Sequence, residues 1–133
     1  MVKKSGPSGK IVNSRARFDF ELGDSLVAGL QLTGAETKAL RLGHGTLRGA
    51  YVTVKDNELW LINAQIMGGR GIQIDDDAQK RSRKLLAKKQ EIKRLVEAKN
   101  QGNTIVPTEF ITNGRFIKLK IAVGRGKKRY DKR

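Results

Sequence analysis

From Phe116 to Val123 the chain reads F-I-K-L-K-I-A-V, a run in which apolar residues return at every second position. A period of two is the signature of a half-buried strand, with Ile117, Leu119, Ile121 and Val123 facing one way and Lys118 and Lys120 the other. Thr104–Thr112 forms a second such run, and Asn113-Gly114 between them is the strongest short hairpin signal available. Beyond Val123 the pattern breaks at Gly124 and Gly126, and the chain ends G-R-G-K-K-R-Y-D-K-R. The rest of the molecule must therefore give an amphipathic hairpin a core to close on, and must carry a basic, glycine-loosened tail.

The preceding segments supply short elements of the same kind. Phe18, Phe20 and Leu22 alternate with Arg17, Asp19 and Glu21, which predicts a strand from about Ala16. Gly23-Asp24 is a turn signal, and Leu26–Leu32 a second strand whose glycine marks a bulge or sharp bend. Thr33-Gly34-Ala35-Glu36 has the spacing of a capping box, opening a short helix to about Leu42 that the Gly43-His44-Gly45 loop stops. Tyr51–Lys55 and Leu59–Ile66 read as strands joined by a turn at Asp56-Asn57-Glu58. Gly68-Gly69-Arg70-Gly71 is a loop. Asp75–Asp77 then caps a long helix predicted over Gln79–Asn100, with Leu85, Ile92 and Val96 in one stripe and Gly102 at its end. These elements predict a mainly β fold with helices: a small closed β-barrel of the OB type, with a short and a long flanking helix. Residues 1–12 are expected as a flexible basic arm, 13–123 as the barrel domain and 124–133 as a flexible basic tail.

Composition narrows the function. Lys and Arg number 28 against 13 acids, a formal net charge of +15, which calls for an anionic partner, nucleic acid before membrane. With no cysteine, disulfides and thiolate metal sites are excluded. No run approaches the roughly 18 apolar residues of a membrane span, and the N-terminal stretch has no signal-peptide core. A single histidine, His44, leaves acid–base or nucleophilic designs little to work with. Neither G-H-G nor G-G-R-G matches a phosphate-binding loop.

In the predicted long helix, Lys80, Arg83, Lys84 and Arg94 project away from the apolar stripe with few acids to pair with, which favours phosphate contact. Lys118 and Lys120 stand on the outer face of their strand, where lysine also serves to protect a sheet edge. Two readings of Glu36 stand side by side: the helix cap, and an acceptor for a nucleobase or 2′-hydroxyl. Most aromatics, Phe116 among them, fall in strand phase and are assigned to the core. Tyr130, amid Lys127, Lys128, Arg129 and Lys132, is free to stack on a base.

N-S-R-A-R-F-D-F near the start, L-T-G-A-E-T-K-A-L-R over 32–41, R-S-R-K-L-L over 81–86 and the terminal G-K-K-R-Y-D-K-R occur in that order and spacing. In these the chain resembles the small protein B family of SsrA-binding proteins, from about Asn13 to Arg133. The resemblance implies a cytoplasmic bacterial RNA-binding adaptor of trans-translation, without enzymatic activity or cofactor and expected as a monomer. Its implied partners are the tRNA-like domain of transfer-messenger RNA and the small-subunit decoding region of a stalled ribosome. Carried over by position, Asn13, Arg15, Arg17, Glu36, Lys38, Arg41, Arg83 and Lys84 become RNA-side candidates, joined by Lys118 and Lys120. Lys127, Lys128, Tyr130, Asp131, Lys132 and Arg133 become ribosome-side candidates. The chain departs from the family at Ala35 and Ala39 around Glu36, and at Phe18 and Phe20, where the family has His and Tyr. It also has Ala78-Gln79 for Asp-Pro, and it ends at Arg133 where the family continues into a further basic tail. The alternative on the residues alone is a resident basic ribosomal protein or a general structured-RNA binder.

Overall fold

The computed structural model describes residues 10–126. In chain order its elements are strand β1 (Lys10–Val12), a one-turn helix α1 (Ala16–Asp19), β2 (Phe20–Leu30), helix α2 (Gly34–Arg41), β3 (Gly45–Thr46), β4 (Tyr51–Lys55), β5 (Glu58–Ile62), β6 (Gln65–Ile66), a 3₁₀ turn (Asp76–Ala78), β7 (Arg83–Leu86), helix α3 (Lys89–Asn100), β8 (Thr104–Ile111) and β9 (Lys118–Gly126). The strands pair in the order β8-β4-β5-β7-β2-β9, and β9 pairs back onto β8, so the sheet closes on itself. β3 and β6 form a separate two-stranded ribbon. The predicted small closed barrel is the fold observed.

Each closure has a local cause. Asp56 and Asn57 both adopt positive φ, 53° and 62°, the geometry of a two-residue hairpin turn that matches strand twist. Val52 of β4 meets Ile105 of β8, and further along the same edge β1 takes over, pairing Val12 with Glu109. Pro107, which has no N–H to offer, sits at this changeover, where the β8–β9 register also slips. Inside the barrel Leu59, Leu61, Phe110, Leu119 and Ile121 are fully buried, with Leu40 of α2 and Leu95 of α3 closing over the core.

Four sequence expectations are corrected. The strand predicted from Ala16 is helix α1 as far as Asp19. Asn13 accepts from the Ala16 N–H at 3.2 Å, and the Arg15–Asp19 ion pair ties the turn. Gly23-Asp24 is no turn but an irregularity inside the single long strand β2, where the register on β9 shifts between Leu22 and Ser25. The long helix begins only at Lys89; residues 83–86 are strand β7, and Asp75 precedes a 3₁₀ turn with no side-chain cap bond. Asn113-Gly114 lies in a wider loop, because β8 ends at Ile111 and β9 starts at Lys118.

At the two ends, Lys10–Val12 and Gly124–Gly126 are strand residues rather than parts of the arms. Gly124 is buried, and a Cβ there would stand 2.6 Å from Val106 Cγ2 and 3.2 Å from Phe20 Cβ. Its lack of a side chain is thus a packing requirement, not a hinge. Gly124→Ala is expected to destabilise the barrel by about 1–3 kcal/mol through overpacking, measured by urea unfolding. A true hinge glycine would give no loss.

Candidate nucleic-acid interface

The barrel divides the charged residues the sequence singled out into buried ones, which build the surface, and exposed ones, which form it. Glu36 belongs to the first group. It is the third residue of α2, and its Oε1 accepts the Thr33 N–H at 2.9 Å while the Thr33 hydroxyl accepts the Glu36 N–H at 3.1 Å, so the predicted capping box is complete. The same carboxylate also accepts from Arg81 Nε at 3.0 Å and Nη2 at 2.6 Å, and from Arg83 Nε at 2.9 Å. Glu36 is 2% exposed and Arg83 0%.

Arg83 donates its other N–H groups to the carbonyls of Ala64 (2.8 Å), Arg81 (3.0 Å), Gln79 (2.9 Å) and Ala78 (3.3 Å). Those carbonyls belong to the irregular segment between β5 and β7, which has little apolar surface of its own to bury. One guanidinium thus stitches that segment to the barrel, and carbonyl dipoles help to offset its desolvation. Burial alone would push the Glu36 carboxyl up. Hydrogen bonds from Arg81 and the Thr33 N–H and the charge of Arg83 outweigh it and hold the group below its ordinary value. Burial lowers the Arg83 guanidinium, and Glu36 partly restores it.

Buried in this way, Glu36 and Arg83 present no surface to a ligand, so the expectation of direct contact is replaced by positioning. Arg83 and Lys84 also lie on a strand, not on a helix. In β7 the inward residues are Arg83 and Leu85, and the outward ones Lys84 and Leu86. Arg41 is likewise engaged: its guanidinium donates to the carbonyls of Thr112 (2.8 Å), Gly114 (2.9 Å) and Arg115 (2.8 Å). Asn13 ties the N-terminal segment to the irregular point of β8, its Nδ2 donating to Pro107 O at 2.8 Å and its backbone N–H to Thr108 O at 2.8 Å.

The outward group, part exposed and part half-buried, has two parts. Asn13, Arg17 and Lys120 line one depression of about 250 Å³ beside β8 and β9. Arg15 lies next to it, its guanidinium 4.3 Å from the centroid of the Phe18 ring, which is exposed rather than core. The second part is the outer face of β7, β2 and β9. Here Leu86 pairs with Gly29 and Gly29 with Lys118, and in the next outward row Val27 pairs with Lys120, so two adjacent rows carry between them two exposed apolar side chains beside two lysines. Leu86 and Val27 are each 46% exposed. Gly29 makes room for the first of these rows, since a Cβ there would stand 3.3 Å from Leu86 Cβ. Lys84 shares the face and pairs with Glu58 of β5.

Val27 and Leu86 were not identified from the sequence. The signal was present in the phase of β2, where Leu26, Ala28 and Leu30 take the core side and leave Val27 outside. Lys38 is exposed on α2. The basic residues of α3 that remain helical include exposed Lys93 and Arg94; Lys99 reaches the Thr53 hydroxyl at 3.3 Å. Lys127, Lys128, Tyr130, Asp131, Lys132 and Arg133 lie outside the described residues. Among the described residues no cluster of His, Asp and Glu could hold a metal ion, the Asp75–Asp77 run included. No helix among them is long and apolar enough to cross a membrane.

Residues 10–133 match the family described as SmpB protein. The chain is 42% identical to the SsrA-binding protein of Paracoccus denitrificans, covering 100% of this chain and 88% of that one. It is 44% identical to the SsrA-binding protein of Koribacter versatilis, covering 97% and 74%. A solved structure described as "tmRNA-SmpB: a journey to the center of the bacterial ribosome" contains a chain that superposes with a TM-score of 0.75 at 35% identity, over 95% of this chain and 90% of that one.

Removing the Glu36 charge leaves Arg83 buried without its counter-ion, so Glu36→Gln is expected to cost about 3–5 kcal/mol in urea unfolding at neutral pH. Because folding lowers the Glu36 pKa, its contribution is complete above the ordinary value of 4.5 and is lost as pH falls through the folded value. The stability gap between wild type and Glu36→Gln should therefore narrow below about pH 4.5. A gap that stays constant down to acid unfolding would show that the carboxylate charge is not what holds the cluster.

Proposed function

The chain belongs to the SmpB protein family, and on that premise we propose that it is the RNA-binding adaptor of trans-translation. It binds transfer-messenger RNA and accompanies it to stalled ribosomes. The observation that carries this reading to the residues is the outer face of β7, β2 and β9, where Lys118 and Lys120 flank the exposed Leu86 and Val27. Lys118 stands opposite apolar Ile111 of β8, whereas Lys120 stands opposite Glu109, so Lys118 is the lysine of this pair with no acid across from it in the β8 register. Lysines placed so take phosphates, while the two apolar side chains lie against sugar or base edges of a folded RNA, and the tRNA-like domain is the part assigned to this face. Asn13, Arg15, Arg17 and Lys120 form a second basic corner. The 127–133 segment, with Lys127, Lys128, Tyr130, Asp131, Lys132 and Arg133, is assigned to the decoding region. The protein acts as a cytoplasmic monomer, contributes no catalysis of its own, and uses Glu36, Arg41 and Arg83 to position the surface rather than to touch RNA.

Binding by phosphates makes log affinity fall linearly with log salt, by roughly 0.7–0.9 per phosphate neutralised. The variant Lys118→Ala/Lys120→Ala is expected to reduce that slope by about 1–2 while leaving stability within about 0.5 kcal/mol. Filter-binding titrations with a tRNA-like-domain transcript at several salt concentrations check this, and a slope equal to wild type would remove those lysines from the interface.

The ends of the molecule separate in a second assay. Replacing Asp131, Lys132 and Arg133 with alanine is expected to leave RNA affinity within about twofold while abolishing tagging on stalled ribosomes in a reconstituted system. Loss of RNA affinity in that variant would move the tail to the RNA side.

A further inference from the structure

Phe116 was assigned to the core by its strand phase, yet at 70% exposed it is the most exposed large apolar side chain among the described residues. Nor is it at a loose loop tip. Arg41 of α2 grips the loop through the carbonyls of Thr112, Gly114 and Arg115, and Ile117 on the other side is buried at 5%. The ring is therefore presented between two anchored neighbours. Fixing a side chain in advance lowers the entropy lost when it binds.

Its surroundings are cationic. The Arg115 guanidinium carbon lies 5.6 Å from the ring centroid, Lys118 follows two residues later on β9, and Lys38 is exposed on α2 one turn before Arg41. Arg41 spends its hydrogen bonds on neutral carbonyls and so keeps its charge unpaired by any acid in these contacts. The 112–117 loop itself contains no acidic residue. An exposed aromatic meeting a protein pocket needs no such ring of cations; a flat π-face beside phosphate-binding groups suits a nucleobase.

We propose that Phe116 is a stacking platform for one unpaired base of the bound RNA, with Arg115 and Lys118 taking the flanking phosphates and Arg41 as the residue that positions the loop. The inference rests on the RNA-binding reading above and adds to it a site on a loop that the outer sheet face does not include.

Trp60 is the only tryptophan, so Phe116→Trp in a Trp60→Phe background places a single reporter on the loop. Titrated with the tRNA-like-domain transcript, its emission is expected to be quenched in proportion to the fraction bound. In the otherwise native protein Phe116→Leu, apolar but unable to stack, is expected to lose about 5- to 150-fold in affinity, while Phe116→Tyr stays near wild type. Arg41→Lys keeps the charge but cannot span three carbonyls; it should weaken binding in the native protein and add no further loss to Phe116→Leu. Unchanged emission together with full affinity of Phe116→Leu, while the wild type binds, overturns the stacking site and leaves the functional reading intact. Full RNA affinity of Phe116→Leu with loss of ribosomal tagging overturns it in favour of a ribosomal contact. A wild-type protein that binds no transcript removes the functional reading, and this inference with it.

Discussion

Two guanidinium groups converge on one carboxylate inside this barrel, and most of the surface depends on that meeting. Glu36 fixes the start of α2 through the Thr33 capping box and at the same time accepts from Arg81 and Arg83. Arg83 carries the constraint onward through its bonds to Ala64, Gln79 and Arg81, which organise the long connection between β5 and β7. A buried ion pair of this kind contributes little to net stability compared with a well-packed apolar core. Its physical role is to define one arrangement of helix, connection and strand, because any other leaves a charge without a partner.

With β7 held in that phase, the remaining charges are sorted. Arg83 and Leu85 point in, which turns Lys84 and Leu86 out; Ala28 points in, which turns Val27 and Gly29 out. β9 then adds Lys118 and Lys120 to the same outer face. An exposed face that mixes cations with small apolar groups follows from the inward choices of three neighbouring strands. Arg41 plays a comparable part at the barrel end, where its bonds to the carbonyls of Thr112, Gly114 and Arg115 hold the loop that presents Phe116.

Much of this was legible in the residues. Period-two runs read over 51–55, 104–112 and 116–123 are local signals that became strands at Tyr51–Lys55, Thr104–Ile111 and Lys118–Gly126; the capping box at Thr33 formed as read, and the turn read at Asp56-Asn57-Glu58 formed at Asp56-Asn57. Helix α1 departs from the reading through local contacts, the Asn13 carbonyl and the Arg15–Asp19 pair, but three other failures come from partners distant in sequence. Arg83 was counted as a polar helix residue because nothing in its neighbourhood shows that Glu36, 47 positions away, makes it an interior side chain. Asn113-Gly114 was read as a tight turn because Arg41, more than 70 positions away in sequence, is invisible to a local rule. Gly124 resembled a hinge until Val106 and Phe20 were seen against it. Among the candidate site residues, the outward side of Lys118 and Lys120 was readable by strand phase, whereas the burial of Glu36 and Arg83 and the carbonyl contacts of Arg41 required the fold.

Backbone amide shift mapping on the ¹⁵N-labelled chain, titrated with a tRNA-like-domain transcript, tests the central claim that one outward face built by this buried cluster meets the RNA. Perturbations are predicted along residues 27–29 of β2, 84–86 of β7 and 118–120 of β9. The solvent-facing turn of α3 at Lys93 and Arg94 should shift least. Shifts concentrated on that helix, with the amides of β7 and β9 unmoved at saturation, would contradict the account.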